Sequence, residues 1–128
     1  LNQSFKPAAL RDEVLDFSEN AGWKQFAGIG DGQVALAVVD GKLTAFGGYE
    51  LPDAIRVYDA STDSWSLQKE SLRLRRRSAA VCALVGSQVL LVGGTNNMDA
   101  PPQMIGSMEV GAQNQPFEIL DEKTTLKI

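Results

Sequence analysis

The hydrophobic pattern of this chain is written twice. Gln33–Gly48 reads QVALAVVDGKLTAFGG, and Ala79–Gly94, 46 residues further on, reads AAVCALVGSQVLLVGG. Each stretch is an apolar run, a two-residue turn, a second apolar run and a Gly-Gly doublet. Short apolar runs bounded by turn residues predict strands. Asp40-Gly41 is a strong hairpin turn because both residues tolerate positive φ, and Gly86-Ser87 fills the same slot in the second copy. The doublets Gly47-Gly48 and Gly93-Gly94 close each hairpin, where the backbone must turn sharply or pass close to a neighbour.

A second pattern recurs three times: a strand, a loop and an aromatic residue, over Val14–Trp23, Val57–Trp65 and Val110–Phe117. Arg11–Phe17 fits a helical turn or a strand equally well, and the repeat decides for a strand. A strand-built period of this length predicts a repeat architecture of stacked sheets, since one unit cannot bury its own apolar face. The strands expected in one sheet are Gln33–Val39, Lys42–Phe46, Ala54–Asp59 and Ser64–Gln68. Those of the next are Ser78–Val85, Gln88–Val92, Ile105–Val110 and Pro116–Leu120.

The combination of an arginine, a hairpin ending in Gly-Gly, a strand carrying Tyr-Asp and then a tryptophan resembles the kelch repeat. Arg77, Gly93-Gly94, Tyr58-Asp59 and Trp65 carry the resemblance, which runs over roughly residues 14–120. Three positions depart from it. Asp31 stands where the first copy should have its arginine, Leu15 replaces the tyrosine of the earliest copy, and Val110, Gly111 and Phe117 stand for Tyr, Asp and Trp in the last. The resemblance implies an all-β fold of kelch-type β-propeller blades, each of four antiparallel strands. It divides the chain into a part blade (13–48), a central repeat (54–94) and a degenerate part blade (105–120). It also implies structural roles for Gly47, Gly48, Gly93, Gly94, Tyr58, Trp65, Trp23 and Arg77. Trp23, Trp65 and Tyr58 are expected in the layers between blades, and Arg77 is expected to bond backbone between them. Propellers close with about 4–8 blades, and about two and a half are expected here, so the propeller is incomplete. The chain is then a fragment of something longer, a unit that closes by self-association, or a short open solenoid.

Charge narrows the function. Sixteen acidic and twelve basic residues give a net charge of −4, which argues against nucleic acid as a partner. Five of the basic residues crowd into Lys69–Arg77. No apolar stretch approaches the ~20 residues of a membrane-spanning helix, so no membrane insertion is expected. The one cysteine, Cys82, excludes an intrachain disulfide and favours a cytoplasmic over a secreted location.

The chemistry is sparse. The chain has no histidine, the commonest general base and a frequent metal ligand. Neither a metal site nor a cofactor is expected, and no catalytic residue stands out. The carboxylates Asp31, Asp40, Asp53 and Asp63 lie in predicted turns, where aspartate ordinarily satisfies local backbone. No helix is expected after either Gly-Gly doublet, so neither reads as a phosphate cradle.

Binding residues concentrate on loops held by a rigid scaffold. Strand alternation places Tyr49–Asp53, Lys69–Arg77 and Thr95–Gln103 at one end of the sheets. Tyr49, Glu50, Arg73, Arg75, Arg76, Asn96 and Asn97 are the candidate partner-binding residues. The expected role is a non-catalytic protein-interaction module whose partner is another protein, with an acidic peptide suited to the arginines. The alternative is a piece of a kelch-type enzyme or of a secreted carbohydrate-binding protein whose active residues lie outside this segment.

Overall fold

The structure, a computed structural model, describes residues 11–16, 22–84, 86–96 and 104–120. Among the described residues ten strands follow one another: β1 (Arg11–Asp16), β2 (Gly22–Ala27), β3 (Ala35–Val39), β4 (Lys42–Phe46), β5 (Ala54–Asp59), β6 (Ser64–Ser71), β7 (Ala80–Ala83), β8 (Gln88–Val92), β9 (Met108–Ala112) and β10 (Glu118–Leu120). The described residues contain no helix. Within each sheet, strands adjacent in the chain pair antiparallel. The result is a two-stranded sheet, β1-β2, and two four-stranded meanders, β3-β4-β5-β6 and β7-β8-β9-β10. The all-β, four-stranded-blade expectation therefore holds. The central repeat at 54–94 spans the outer pair of one sheet and the inner pair of the next.

Alternation along the strands decides which face is buried. On β3, Ala35, Ala37 and Val39 point towards the second sheet, with Phe46 and Ile55 beside them. Val81, Val89, Leu91 and Phe117 meet them from β7, β8 and the entry to β10. The rings of Phe46 and Phe117 approach to 6.1 Å between centroids. Each fully buried large apolar side chain contributes about 1.5–3 kcal/mol, so this interface is the main source of stability. Leu72, on the connection between the sheets, joins the same core.

The first hairpin turns as expected. Val39 pairs with Lys42, and Asp40 and Gly41 between them take φ of 49° and 74°, the positive pair of a type I′ turn. The second hairpin is one residue longer. The Leu84 amide donates to the Gln88 carbonyl at 2.8 Å, which leaves residues 85–87 as the loop; Val85 itself lies outside the described residues. A two-residue loop at Gly86-Ser87 is thus corrected to a three-residue one. The repeat offset is consequently one residue smaller before the turn than after it.

The outer hairpin β5-β6 carries the β1-β2 pair. The Trp65 indole N–H donates to the Ala27 carbonyl at 2.8 Å, and the Ala27 amide donates to Asp63 Oδ1 at 2.8 Å. Phe26 packs edge-on against Tyr58 at 5.0 Å. Tyr58 and Trp65 therefore sit between sheets, as expected. The side chain of Trp23 lies outside the described residues.

Candidate functional site

The two large sheets are stitched at one end by loops. The Gly48 amide donates to the Arg76 carbonyl at 3.0 Å, the Arg76 amide to the Pro52 carbonyl at 2.7 Å, and the Leu72 amide to the Asp53 carbonyl at 2.8 Å. The connection between sheets thus runs alongside the loop that follows Gly47-Gly48. Gly47 has a φ of 66°, and a Cβ there would strike the Arg76 carbonyl oxygen. Only glycine admits this crossing.

Two ion pairs lie behind the loops, and they are mirror versions of one device. In the first sheet Arg56 Nη2 donates to Asp31 Oδ2 at 2.9 Å and to the Gly47 carbonyl at 2.7 Å. Asp31 also accepts the amides of Glu50 and Leu51. In the second sheet Arg76 Nε donates to Glu109 Oε2 at 2.7 Å, and Arg76 Nη1 donates to the Gly93 carbonyl at 2.8 Å. Arg76 Nη2 adds a bond to the Ser107 carbonyl at 2.7 Å, and Glu109 also accepts the amides of Arg73 and Leu74. Both side chains of the second pair are 0% exposed.

Register makes the comparison firm. Arg56 pairs with Ala45, and Glu109 pairs with Leu91, the residue equivalent to Ala45 after the hairpin turn. Ahead of the turn, the Tyr49 amide donates to the Gly32 carbonyl as the Thr95 amide donates to the Arg77 carbonyl. Gln33 and Ser78, one residue further, share a positive φ of 58° and 54°. Asp31 is therefore equivalent to Arg76. The basic and acidic members have exchanged places between sheets: acid before the first strand and arginine on the third, then arginine before the first strand and acid on the third.

This corrects three expectations. Arg77 does not occupy the slot of Asp31; Arg76 does, because the longer second turn shifts the alignment by one. Arg76 is not an exposed partner-binding residue but the most deeply held cation among the described residues. Asp31 is not a turn aspartate bonded to its own neighbours but half of a buried pair. Burial pushes its carboxyl up, yet the Glu50 amide, the Arg56 guanidinium and the Leu51 amide together hold it below the ordinary 3.8. Sequence reasoning missed the Arg76 pair, because Glu109 stands 33 positions away on another strand. A lone charged residue flanked by apolar ones, as Glu109 is in SMEVG, was the available signal.

The same register changes the reading of the last copy. Val110 pairs with Glu118, so Gly111 stands opposite Phe117 as Tyr58 stands opposite Trp65. Gly111 takes the tyrosine's slot rather than the aspartate's. A Cβ at Gly111 would enter the Phe117 ring, which lies directly over it.

The remaining candidate residues do assemble at this end. Tyr49, Glu50, Arg73, Arg75 and Asn96 are exposed. Asn97 lies outside the described residues. Arg77 is buried, its guanidinium stacked on the Tyr49 ring at 4.0 Å from the centroid, and its backbone bonds Thr95 in both directions. Thr95 also bridges to Met104, which is 78% exposed. Leu51 adds a further exposed apolar side chain. Gly93 and Gly94, with φ of 73° and 90°, turn the chain into this end as Gly47 and Gly48 do.

Among the described residues no group of three or more potential metal ligands occurs, and no helix is long and apolar enough to cross a membrane. The cleft between the outer halves of the sheets is floored by Phe46, Ile55, Val89 and Phe117 and rimmed by Gln68, Glu70 and Asn114. Its floor is the core itself, so it is the wedge by which the sheets splay.

No family model and no curated protein matches the chain. Among solved structures it is similar to one titled "Structure of YjhT", with a TM-score of 0.72 over 94% of this chain at 15% identity. The match spans 46% of that chain. At this identity the likeness shows the fold alone: an open arrangement of four-stranded antiparallel sheets, consistent with part of a β-propeller and not a closed barrel.

Proposed function

We propose that this chain is part of a kelch-type propeller that docks another protein, without catalysis of its own, through the loop end bearing Tyr49, Glu50, Arg73, Arg75 and Asn96. One observation carries the reading. Two exposed arginines share a stitched, glycine-turned scaffold with the exposed apolar side chains of Tyr49, Leu51 and Met104. Cations beside aromatic and aliphatic contacts suit an acidic peptide with apolar anchors, since guanidinium–carboxylate bonds are charge-assisted. The buried pairs support the same reading, because they hold the loops fixed and leave Arg73 and Arg75 free to reach outward.

The test is binding of a fluorescein-labelled library of glutamate- and aspartate-rich peptides containing Leu or Phe. The Arg73→Glu, Arg75→Glu double variant should bind the selected peptides at least about tenfold more weakly, and wild-type binding should weaken with salt. Equal binding by wild type and the double variant, or no peptide selected from the library, would overturn the proposal.

A further inference from the structure

The internal repetition of this chain creates a pairing problem. The hairpins β3-β4 and β7-β8 share one backbone frame. Each is preceded by a positive-φ residue, Gln33 or Ser78, and each ends in a glycine doublet at positive φ. They meet the third strands of their sheets in the same register. Thr44, Ala45 and Phe46 face Val57, Arg56 and Ile55; Leu90, Leu91 and Val92 face Val110, Glu109 and Met108. The bonds of a sheet ladder are made by backbone, so they do not tell one apolar strand from another. By frame and register, β8 fits beside β5, and β4 beside β9. Exchange of such elements between repeats or between copies is the characteristic assembly error of repeat chains.

The buried charges separate the two pairings. In each pair one member precedes the hairpin and the other stands on the third strand: Asp31 with Arg56, and Arg76 with Glu109. A match therefore forms only when hairpin and strand belong together. With β7-β8 beside β5, Arg76 would come to Arg56. With β3-β4 beside β9, Asp31 would come to Glu109. The Asp31 side chain is 1% exposed, and those of Arg76 and Glu109 are 0% exposed, so these like charges would meet away from water. The glycine carbonyls do not discriminate. Gly47 accepts from Arg56 as Gly93 accepts from Arg76, so an arginine finds its carbonyl in either sheet, and the carboxylate carries the choice.

We infer that the opposite polarity of the two pairs is a pairing code: it assigns each hairpin to its own third strand and bars exchange of hairpins between copies of this chain. Two pairs of the same polarity would hold the two sheets and leave exchange open. A buried ion pair adds little net stability over well-packed apolar residues, whereas a mismatched buried charge is strongly unfavourable. That asymmetry suits such a pair to selecting a neighbour more than to strengthening a fold. The inference rests on sheet register and on the two pairs, and stands apart from the peptide-docking reading of the loop end.

The test is a disulfide that reports the wrong neighbour. Leu90 holds on β8 the position that Thr44 holds on β4, opposite Val57. A full-length chain carrying Val57→Cys, Leu90→Cys and Cys82→Ala brings its two thiols to cross-strand distance when β8 lies beside β5. The chain is refolded from urea under mild oxidation, and cross-linked dimer is measured on a non-reducing gel with mass spectrometry. Adding Asp31→Arg with Arg56→Glu gives both sheets one polarity and should raise the dimer at least about tenfold. Arg56→Glu alone, which gives β5 the charge that Arg76 matches, should raise it too. Arg56→Met, which removes the pair and offers no match, should not. Inverting all four residues (Asp31→Arg, Arg56→Glu, Arg76→Glu and Glu109→Arg) restores opposite polarity and should return the dimer to its starting level. Equal cross-linking in every background would overturn the code. A rise with Arg56→Met as large as with Arg56→Glu would overturn it as well, by tracing exchange to lost stability alone.

Discussion

Arg76 and Glu109 meet 2.7 Å apart, and no part of either side chain reaches solvent. The pair ties the connection between sheets to the third strand of the second sheet and satisfies the Gly93 and Ser107 carbonyls on the way. Removing one partner of a buried pair strands the other charge and costs about 3–5 kcal/mol. Arg76→Ala should therefore lower the urea midpoint sharply, and Glu109→Ala should do the same. The first sheet holds the inverted arrangement, so Arg76→Glu with Glu109→Arg should recover part of the loss. Two singles as stable as wild type, or a double that adds their costs, would show that the pair does not act as a unit.

Gly111 and Phe117 occupy the slots that Tyr58 and Trp65 fill in the first sheet. The Phe117 ring lies where a Gly111 Cβ would stand. Gly111→Ala should push that ring into the core beside Phe46 and cost about 1–3 kcal/mol, the usual range for overpacking. Because the two residues touch, the cost should be non-additive with Phe117→Leu. A thermal melt of both singles and the double measures it, and full additivity would count against the contact.

Sequence was a good guide wherever local chemistry decides. Asp40-Gly41 dictates its turn, β-branched and apolar runs dictate their strands, and the paired glycines mark where one loop crosses another. It was a poor guide to anything that depends on a partner far along the chain. Arg73, Arg75, Arg76 and Arg77 are near-identical by composition, yet Arg73 and Arg75 are exposed, Arg76 is ion-paired inside, and Arg77 lies buried beneath Tyr49. The position of Glu109, set by the pairing of β8 with β9, singles out Arg76, and the Tyr49 ring singles out Arg77. A single extra residue in the loop at 85–87 was enough to move the equivalence from Arg77 to Arg76. Asp31 was misjudged for the same reason, since Arg56 reaches it from another strand.

Asp31 should give stability an acid limb. Its carboxyl titrates below 3.8 in the folded chain despite burial, because the Glu50 and Leu51 amides and Arg56 favour the charged form. A lowered folded pKa contributes stability above the unfolded value and loses it as pH falls through the folded one. Asp31→Asn should thus be less stable than wild type near neutrality, and the gap should close on acidification below 3.8. Urea midpoints from about pH 6 to about pH 2.5 test this; a gap of constant size across that range would remove Asp31 from the acid response.

Arg75 and Arg76 are adjacent, and their substitutions should have opposite consequences. Arg75 is exposed and makes no ion pair among the described residues, and such surface charges contribute about 0–1 kcal/mol to stability. Arg75→Glu should leave the melt almost unchanged while weakening an acidic peptide and flattening its salt dependence. Arg76→Met keeps an unbranched, apolar stem but leaves Glu109 without its cation and the Gly93 carbonyl without its donor. It should unfold the chain at lower urea. It should reduce peptide binding only in proportion to the folded fraction, so that binding per folded molecule stays constant. Circular dichroism and peptide titration on the same samples separate the two effects. A loss of binding per folded molecule at Arg76→Met, with none at Arg75→Glu, would mean that the buried arginine shapes the docking loops more than the exposed one contacts the partner.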